Sequence, residues 1–353
     1  MKILAIESSC DETSVAVVEN GTKIHANVIA SSQTMYQKYG GILPEVASRE
    51  QQKAIIPVLE EALTQAFGHH GNSPFETIKS EIDAIAVAVG PGLIGSLLMG
   101  VEAAKTIAVM TQKPILPVNH VLAHMYANFL DDPDSQQAPI RFPAISLVVS
   151  GGHTELFLMK NEKTLLWLGG TIDDAAGEAF DKTARLLGFG SGGGVAIQIA
   201  AKQHTGSSGL HKQLPRPLLH DGTLNFSFSG LKTAVLREWN NEKNHSEEYV
   251  NAFAYEIQEA ICDVLVAKTK SAAQTHDVSS ILLSGGVSAN LRLRESMKSM
   301  VDTDLPECTL HIPRVAFCTD NAAYIGSFAF FRAQPVPLET LDALPDLSPE
   351  VSG

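Results

Sequence analysis

A chain of 353 residues is long for a single hydrophobic core, and 44% hydrophobic with 18% charged residues describes a globular protein with ample apolar surface to bury. The net charge of −13 argues against holding nucleic acid by a global positive field, because phosphate contacts need clustered Lys and Arg; a nucleic-acid substrate would have to be gripped by a local patch or by a partner. The four cysteines, Cys10, Cys262, Cys308 and Cys318, form no C-x-x-C, so they suggest neither a zinc knuckle nor a disulfide framework and fit a reducing cytosol.

The opening MKILAIESSCDE meets carboxylates by residue 11, too early for the apolar region of a signal peptide, and it lacks the Arg-rich pattern of a transit segment. Residues 3–18, ILAIESSCDETSVAVV, predict a strand, a short polar turn and a second strand running back. Residues 84–110, AIAVAVGPGLIGSLLMGVEAAKTIAVM, predict a buried strand, a glycine turn and a helix. No apolar run reaches the 18 or more residues that a membrane span needs. Residues 117–129, PVNHVLAHMYANF, read as a buried helix with His120 and His124 four apart. Residues at that spacing share a helix face, which suits two ligands of one cation and equally two core or capping histidines. With 12 His in the chain, the spacing alone leaves both readings open.

Residues 144–159, AISLVVSGGHTELFLM, repeat the first hairpin pattern, with His153 at the tip of a Gly-Gly turn that lets a ligand approach the backbone. The stretch 173–194 begins as an acidic helix and ends in a glycine run; Asp181 could accept hydrogen bonds from ribose hydroxyls, or pair with Arg185 on an exposed face. Residues 203–224 read as a long loop, and 281–300, ILLSGGVSANLRLRESMKSM, repeat the strand, glycine turn and helix. In AFCTDNAAYIGSFAFF, 316–331, Asp320 precedes an apolar helix as either its N-cap or a carboxylate completing a two-His, one-carboxylate set. Hairpin, helices, then strand-glycine-helix therefore occurs twice. This predicts a duplicated α/β protein with an N-terminal half over 1–135, a C-terminal half with a helical insertion over 136–333, and a loosely held Pro-rich acidic tail over 334–353. Glycine turns from each half would offer backbone N–H groups to phosphate across a cleft.

Taken together, IESSCDETSVAV, GGILPEVASRE, GPGLIGSLLMG, NHVLAHMYA, LVVSGGHTEL, DDAAGEAFDKTARLLG, NFSFSGLKTAV, LLSGGVSAN and CTDNAAYIG resemble the bacterial and mitochondrial tRNA N6-adenosine threonylcarbamoyltransferases, once described as O-sialoglycoprotein endopeptidases. The resemblance runs in order from residue 3 to about residue 330. It implies the duplicated fold of actin, Hsp70 and sugar kinases. It implies His120, His124 and Asp320 as ligands of one divalent metal, usually iron and sometimes zinc. It also implies adenylate binding by Val149, Ser150, Gly151, Gly152, His153, Asp181, Gly194 and Asn290. The implied substrates are threonylcarbamoyl-adenylate and tRNA, and the implied bacterial partners are a non-catalytic TsaB-type paralogue and a small TsaE-type P-loop ATPase, with no membrane and a cytoplasmic location. The group that takes the amine proton is not legible; His153, Asp11 and Glu12 are the candidates.

Two departures stand out. Ser191, Gly192, Gly193 and Gly194 stand where the family commonly has Tyr-Pro-Gly-Gly, and Val148 stands where archaeal and eukaryotic relatives carry a Tyr ligand. Three rivals remain. A small-molecule kinase or ATPase of the same fold has no need of the H-x-x-x-H pair, a metallopeptidase would want Glu where Val121 stands, and a scaffold paralogue would be expected to lack the two histidines.

Overall fold

The computed structural model describes residues 1–32, 42–68, 73–132, 138–190, 192–204, 206, 213–243 and 245–351. The chain divides into two compact units, one of Met1–Gln136 with Ala316–Glu350 and one of Gln137–Val315 with Val351–Gly353. Residues 316–333, expected in the C-terminal half, thus belong to the first unit. The reason is packing: the helix Ala322–Arg332 lies on the first two strands, and Gly326 permits the close approach, since a Cβ there would come 2.9 Å from a Val18 methyl and 3.3 Å from Ala5 Cβ.

In the first unit the strands are β1 (Lys2–Glu7), β2 (Glu12–Glu19), β3 (Lys23–Ser31), β4 (Ala84–Gly90) and β5 (Ile115–Asn119), in the order β3-β2-β1-β4-β5. The predicted hairpin is present, with β1 antiparallel to β2, while β4 runs parallel to β1 and β5 parallel to β4. The central strands β1 and β4 are near-continuous apolar runs because both of their faces are covered, the signature of strands inside a layered sheet. Each fully buried Ile, Leu or Val of these strands contributes roughly 1.5–3 kcal/mol relative to exposure.

The second unit repeats the plan with β6 (Ala144–Val149), β7 (Thr154–Met159), β8 (Leu165–Gly170), β9 (Ser280–Ser284) and β10 (Thr309–His311), ordered β10-β9-β6-β7-β8. Here β6 pairs antiparallel with β7 and parallel with β9, which pairs parallel with β10. Position for position this is the arrangement of the first sheet, so the duplicated α/β fold read from the sequence is what the chain adopts.

Two expectations need correction. Residues 334–351 are packed, not loosely held: Val336 bridges to Ile115, Leu344 N–H donates to Val89 O at 2.7 Å, and Leu341 and Ala343 are buried in the first unit's core. Proline there sets extended segments, and the apolar residues between the prolines anchor them. The helix Ile94–Thr111, with 18 residues and a mean hydropathy of 1.3, is long and apolar enough to cross a membrane by length and composition alone. In this fold Leu97, Val101, Ala104, Ile107 and Ala108 bury its inner face in the core, and Lys105 pairs with Glu102 at 2.9 Å on the outside. Ser191, residue 205 and residues 207–212 lie outside the described residues.

Candidate metal centre and glycine turns

The first unit brings His120, His124 and Asp320 together, with one ligand atom from each lying within 4.8 Å of the others. Local sequence explains how. Asn119 ends β5 and caps the next turn, its Oδ1 accepting from Val121 N at 3.0 Å and Leu122 N at 3.1 Å. The expected helix is a single α turn, His120–Ala123, followed by a 3-10 turn, His124–Phe129; the two rings still meet, with centroids 4.8 Å apart. Asp320 does not cap the helix Ala322–Arg332. Asn321 does, accepting from Ala323 N at 3.1 Å, which releases the Asp320 carboxylate to face the imidazoles. Its Oδ1 lies 3.7 Å from His120 Nε2 and 3.6 Å from His124 Nε2.

Three neighbours that the sequence reading passed over support this set. Glu7, fully buried at the end of β1, accepts from His120 Nδ1 at 3.0 Å, and Ser9 Oγ is 3.2 Å from the same nitrogen. Tyr324 O–H donates to Asp320 Oδ1 at 3.4 Å, with its ring packed 4.7 Å from that of His124. The one available signal was a carboxylate at the end of an apolar strand in IESSCDE; Tyr324 reads simply as an apolar helix position.

The electrostatics are those of a cluster short of positive charge. Burial pushes the Asp320 carboxyl up to about 6; Glu7 and Asp11 add to the rise and His120 opposes it. Burial pushes Glu12 up to about 10, reinforced by the charge of Asp320 and by Asp11. Burial would lower His120, but the carboxylates of Glu7 and Asp320 outweigh it and hold the imidazole up at about 9. Carboxyls that resist ionisation beside a histidine that clings to its proton are what a divalent cation relieves, since it replaces the proton and neutralises the excess negative charge. Two imidazoles and one carboxylate also match the donor set of iron(II) or zinc, with positions left open. The residues present fit such an ion.

The second unit holds the glycine turns. Ser150 N–H donates to His153 O at 2.8 Å and His153 N–H to Ser150 Oγ at 3.2 Å, closing a tight turn between β6 and β7. Gly177 N–H donates to Ser150 O at 3.2 Å, and Ala176 N–H donates to Thr154 Oγ1 at 2.9 Å, so the turn also satisfies the start of the helix Ala176–Leu186. Gly151 and Gly152 are exposed, and a Cβ on either would meet nothing within 4 Å. Neither the chain's packing nor a left-handed backbone therefore accounts for glycine at these two positions.

The remaining positions are more committed than the sequence suggested. Asp181 accepts backbone N–H groups of Gly193 and Gly194 at the start of the helix Gly193–Lys202, so the Asp181/Arg185 pair is not its whole role. Asn290 caps the helix Leu291–Asp304 through Leu293 N at 3.0 Å and donates to Gln258 Oε1 at 3.0 Å. The helix Ala176–Leu186 touches both the Gly193–Lys202 helix and the Gly286–Ala289 turn, so the Val149–His153 turn, Asp181, Gly194 and Asn290 lie on adjoining elements. Of the other proton-acceptor candidates, Asp11 and Glu12 both lie in the first unit, at the turn from β1 into β2.

Residues 23–327 match the family described as TsaD: tRNA N6-adenosine threonylcarbamoyltransferase. The chain is 46% identical over 330 residues to the tRNA N6-adenosine threonylcarbamoyltransferase of Syntrophomonas wolfei and 45% identical over 336 residues to that of Listeria welshimeri, covering 94% of this chain and 92% of each relative. With the Kosmotoga olearia enzyme of the same name it shares 42% identity over 352 residues, 99% of both chains. Among solved structures its fold is similar to HypF of T. kodakarensis, with a TM-score of 0.59 at 14% identity over 93% of this chain and 47% of HypF. It is also similar to component A of the Acidaminococcus fermentans (R)-2-hydroxyglutaryl-CoA dehydratase, with a TM-score of 0.50 at 10% identity over 94% and 98% of the two chains. With the family pattern spanning nearly the whole chain and full-length relatives well above the level at which family is in doubt, this protein belongs to the TsaD family of tRNA N6-adenosine threonylcarbamoyltransferases.

Proposed function

We propose that the protein transfers the threonylcarbamoyl group of threonylcarbamoyl-adenylate to the exocyclic N6 amine of the adenosine beside the anticodon in tRNAs that read ANN codons, releasing AMP. The observation that carries the reading is the convergence of His120, His124 and Asp320 in a chain of this family. The amine nitrogen bonds to the carbamoyl carbon, the C–O bond to phosphate breaks, AMP departs with the electron pair, and the nitrogen gives up one proton. An aryl-type amine is a poor nucleophile, so the largest gains come from orienting it and stabilising charge on the carbonyl and the leaving phosphate.

His120, His124 and Asp320 would hold one divalent metal, with iron(II) ahead of zinc, which when bound supplies Lewis acidity toward a carbonyl or phosphoryl oxygen. Val149, Ser150, Gly151, Gly152 and His153 form the turn that holds the threonylcarbamoyl-phosphate portion, with the N–H groups of Gly151 and Gly152 as its donors while those of Ser150 and His153 close the turn, and Asp181, Gly194 and Asn290 orient the nucleoside. The open space over Gly151 and Gly152 supports the first assignment. The hydrogen bonds that fix Asp181 and Asn290 favour the second, since a pre-oriented group loses little freedom on binding. His153, Asp11 and Glu12 are the candidates for taking the proton; Glu12, pushed up to about 10 by burial, could accept it only after losing its own, as a cation bound nearby would favour.

Gly152→Ala tests the cradle. Because the added methyl meets no atom of the chain, the melting temperature is expected to stay at the wild-type value while AMP affinity falls at least tenfold. Unchanged AMP affinity would remove the cradle from the site.

The acidic balance bears on partners. Arg292, Arg294 and Lys298 form one of the few basic stretches in an acidic chain, yet two of the three are engaged within the fold. Arg292 makes a two-pronged pair with Glu259 at 2.6 Å, and Arg294 donates to the carbonyls of Ser288 at 2.6 Å and Pro313 at 3.0 Å. We therefore assign tRNA capture largely to an assembly with a TsaB-type paralogue and a TsaE-type ATPase in the cytoplasm. Incubation with unmodified tRNA, threonine, bicarbonate, ATP and an adenylate-forming enzyme, with and without the two partners, tests the function. Threonylcarbamoyl-adenosine in the digested tRNA is expected only with both partners. Turnover unaided, with submicromolar tRNA binding and a steep salt slope, would establish the stand-alone mode instead. ATP-dependent phosphoryl transfer without modified tRNA would return the kinase reading.

A further inference from the structure

We infer that Glu7 is a positioning residue for the metal set, fixing the tautomer and ring orientation of His120. The inference rests on the proposed ligand role of His120, His124 and Asp320. Glu7 is the last residue of β1, fully buried, and its backbone is fixed by pairing with Ser14 in β2. One carboxylate oxygen, Oε1, accepts from Ser9 N at 2.6 Å; the other, Oε2, accepts from His120 Nδ1 at 3.0 Å. An ionised carboxylate only accepts, so Nδ1 must carry the hydrogen. The lone pair of the neutral ring then sits on Nε2, the nitrogen that faces Asp320 Oδ1 at 3.7 Å. With Nδ1–H satisfied by Glu7, a flipped ring would forfeit that hydrogen bond and point carbon at the ligand set.

Among the described residues the partners of the Glu7 carboxylate are the Ser9 N–H and His120, and the Ser9 N–H needs only an acceptor, not a charge. A buried charge with so few partners is costly, and an amide side chain would fill the end of β1 and still accept from the Ser9 N–H. Its value lies in what it does to His120. Partners that orient a ligating histidine typically change metal affinity by about 10–100-fold when removed.

Cobalt(II) serves as the probe, because its visible absorption bands report ligand geometry independently of activity. The wild type, His124→Ala, Glu7→Gln and Glu7→Ala proteins are titrated with cobalt(II), with dissociation constants taken by competition against a chromophoric chelator and folding checked by near-ultraviolet circular dichroism. Stoichiometric binding by the wild type, none by His124→Ala, binding weakened roughly tenfold or more with shifted bands in Glu7→Gln, and a larger loss in Glu7→Ala are expected. Glu7→Gln keeps the side-chain volume and carries the test should Glu7→Ala fail to fold. A Glu7→Gln protein that binds cobalt(II) within twofold of wild type and with unchanged bands overturns the inference and leaves the ligand set standing. A wild type with no bands, or a His124→Ala protein that binds normally, overturns the ligand assignment instead.

Discussion

His124→Ala is expected to leave a folded protein that carries no metal and transfers threonylcarbamoyl at least a thousandfold more slowly. Metal Lewis acidity is worth several kcal/mol of transition-state stabilisation, and each 1.36 kcal/mol is about tenfold in rate. His124 is 1% exposed, so a packing role is the serious competitor, and removing a buried ring of this size for packing reasons would cost roughly 2–5 kcal/mol. Metal content and thermal melts of the same preparation separate the two. Stoichiometric metal with a collapsed melting temperature would make His124 a core residue. Asp320→Ala sharpens the comparison. Since Asn321 and not Asp320 caps the helix Ala322–Arg332, the mutant should escape even the loss of about 1 kcal/mol typical of a missing cap, while losing metal as His124→Ala does.

What the sequence made legible follows from what periodicity and glycine encode. Two hairpins and two strand-glycine-helix units stood out because buried central strands such as β4 are continuous apolar runs and their turns require small residues. That repetition was enough for the duplicated fold. The His120/His124 spacing identified a shared face but not its purpose, and the turn that carries them is shorter and tighter than the helix it suggested. Asp320 stayed ambiguous because a carboxylate before an apolar helix caps it by default. Only the geometry shows the neighbouring Asn321 doing that work. Glu7 and Tyr324 were illegible for different reasons: Glu7 acts through a partner 113 residues away in sequence, and Tyr324, only 4 residues from Asp320, reads as one more apolar position of its helix. The tail's proline content suggests looseness, but the apolar residues between the prolines dock it on β4 and β5.

Gly285→Ala is expected to cost the second unit more stability than any other single methyl added around the β6–β7 turn, and to abolish AMP binding with it. Gly285 has φ of +86°, in the left-handed region that an alanine enters only at a cost of about 1–3 kcal/mol. Its Cβ would also lie 2.4 Å from the carbonyl oxygen of Val149, a backbone atom that cannot swing aside, and relieving such overpacking costs roughly another 1–3 kcal/mol. At roughly 2–4 °C per kcal/mol for a unit of this size, the unit's melting transition should fall by about 10 °C. Gly177 sets the intermediate case. Its Cβ would meet Ser150 O at 2.4 Å, but its φ lies outside the left-handed region, so Gly177→Ala should suffer the clash alone. Gly152 has neither constraint. The expected order of lost stability is therefore Gly285 above Gly177 above Gly152, while all three lose AMP affinity, because Val149–Gly152 is squeezed from the Gly285 and Gly177 sides and left open over Gly151 and Gly152. Differential scanning calorimetry alongside AMP titration reads both effects. A Gly285→Ala protein that melts at the wild-type temperature would mean that the end of β6 yields without penalty, and a turn that yields so easily could not hold an acyl phosphate in one orientation.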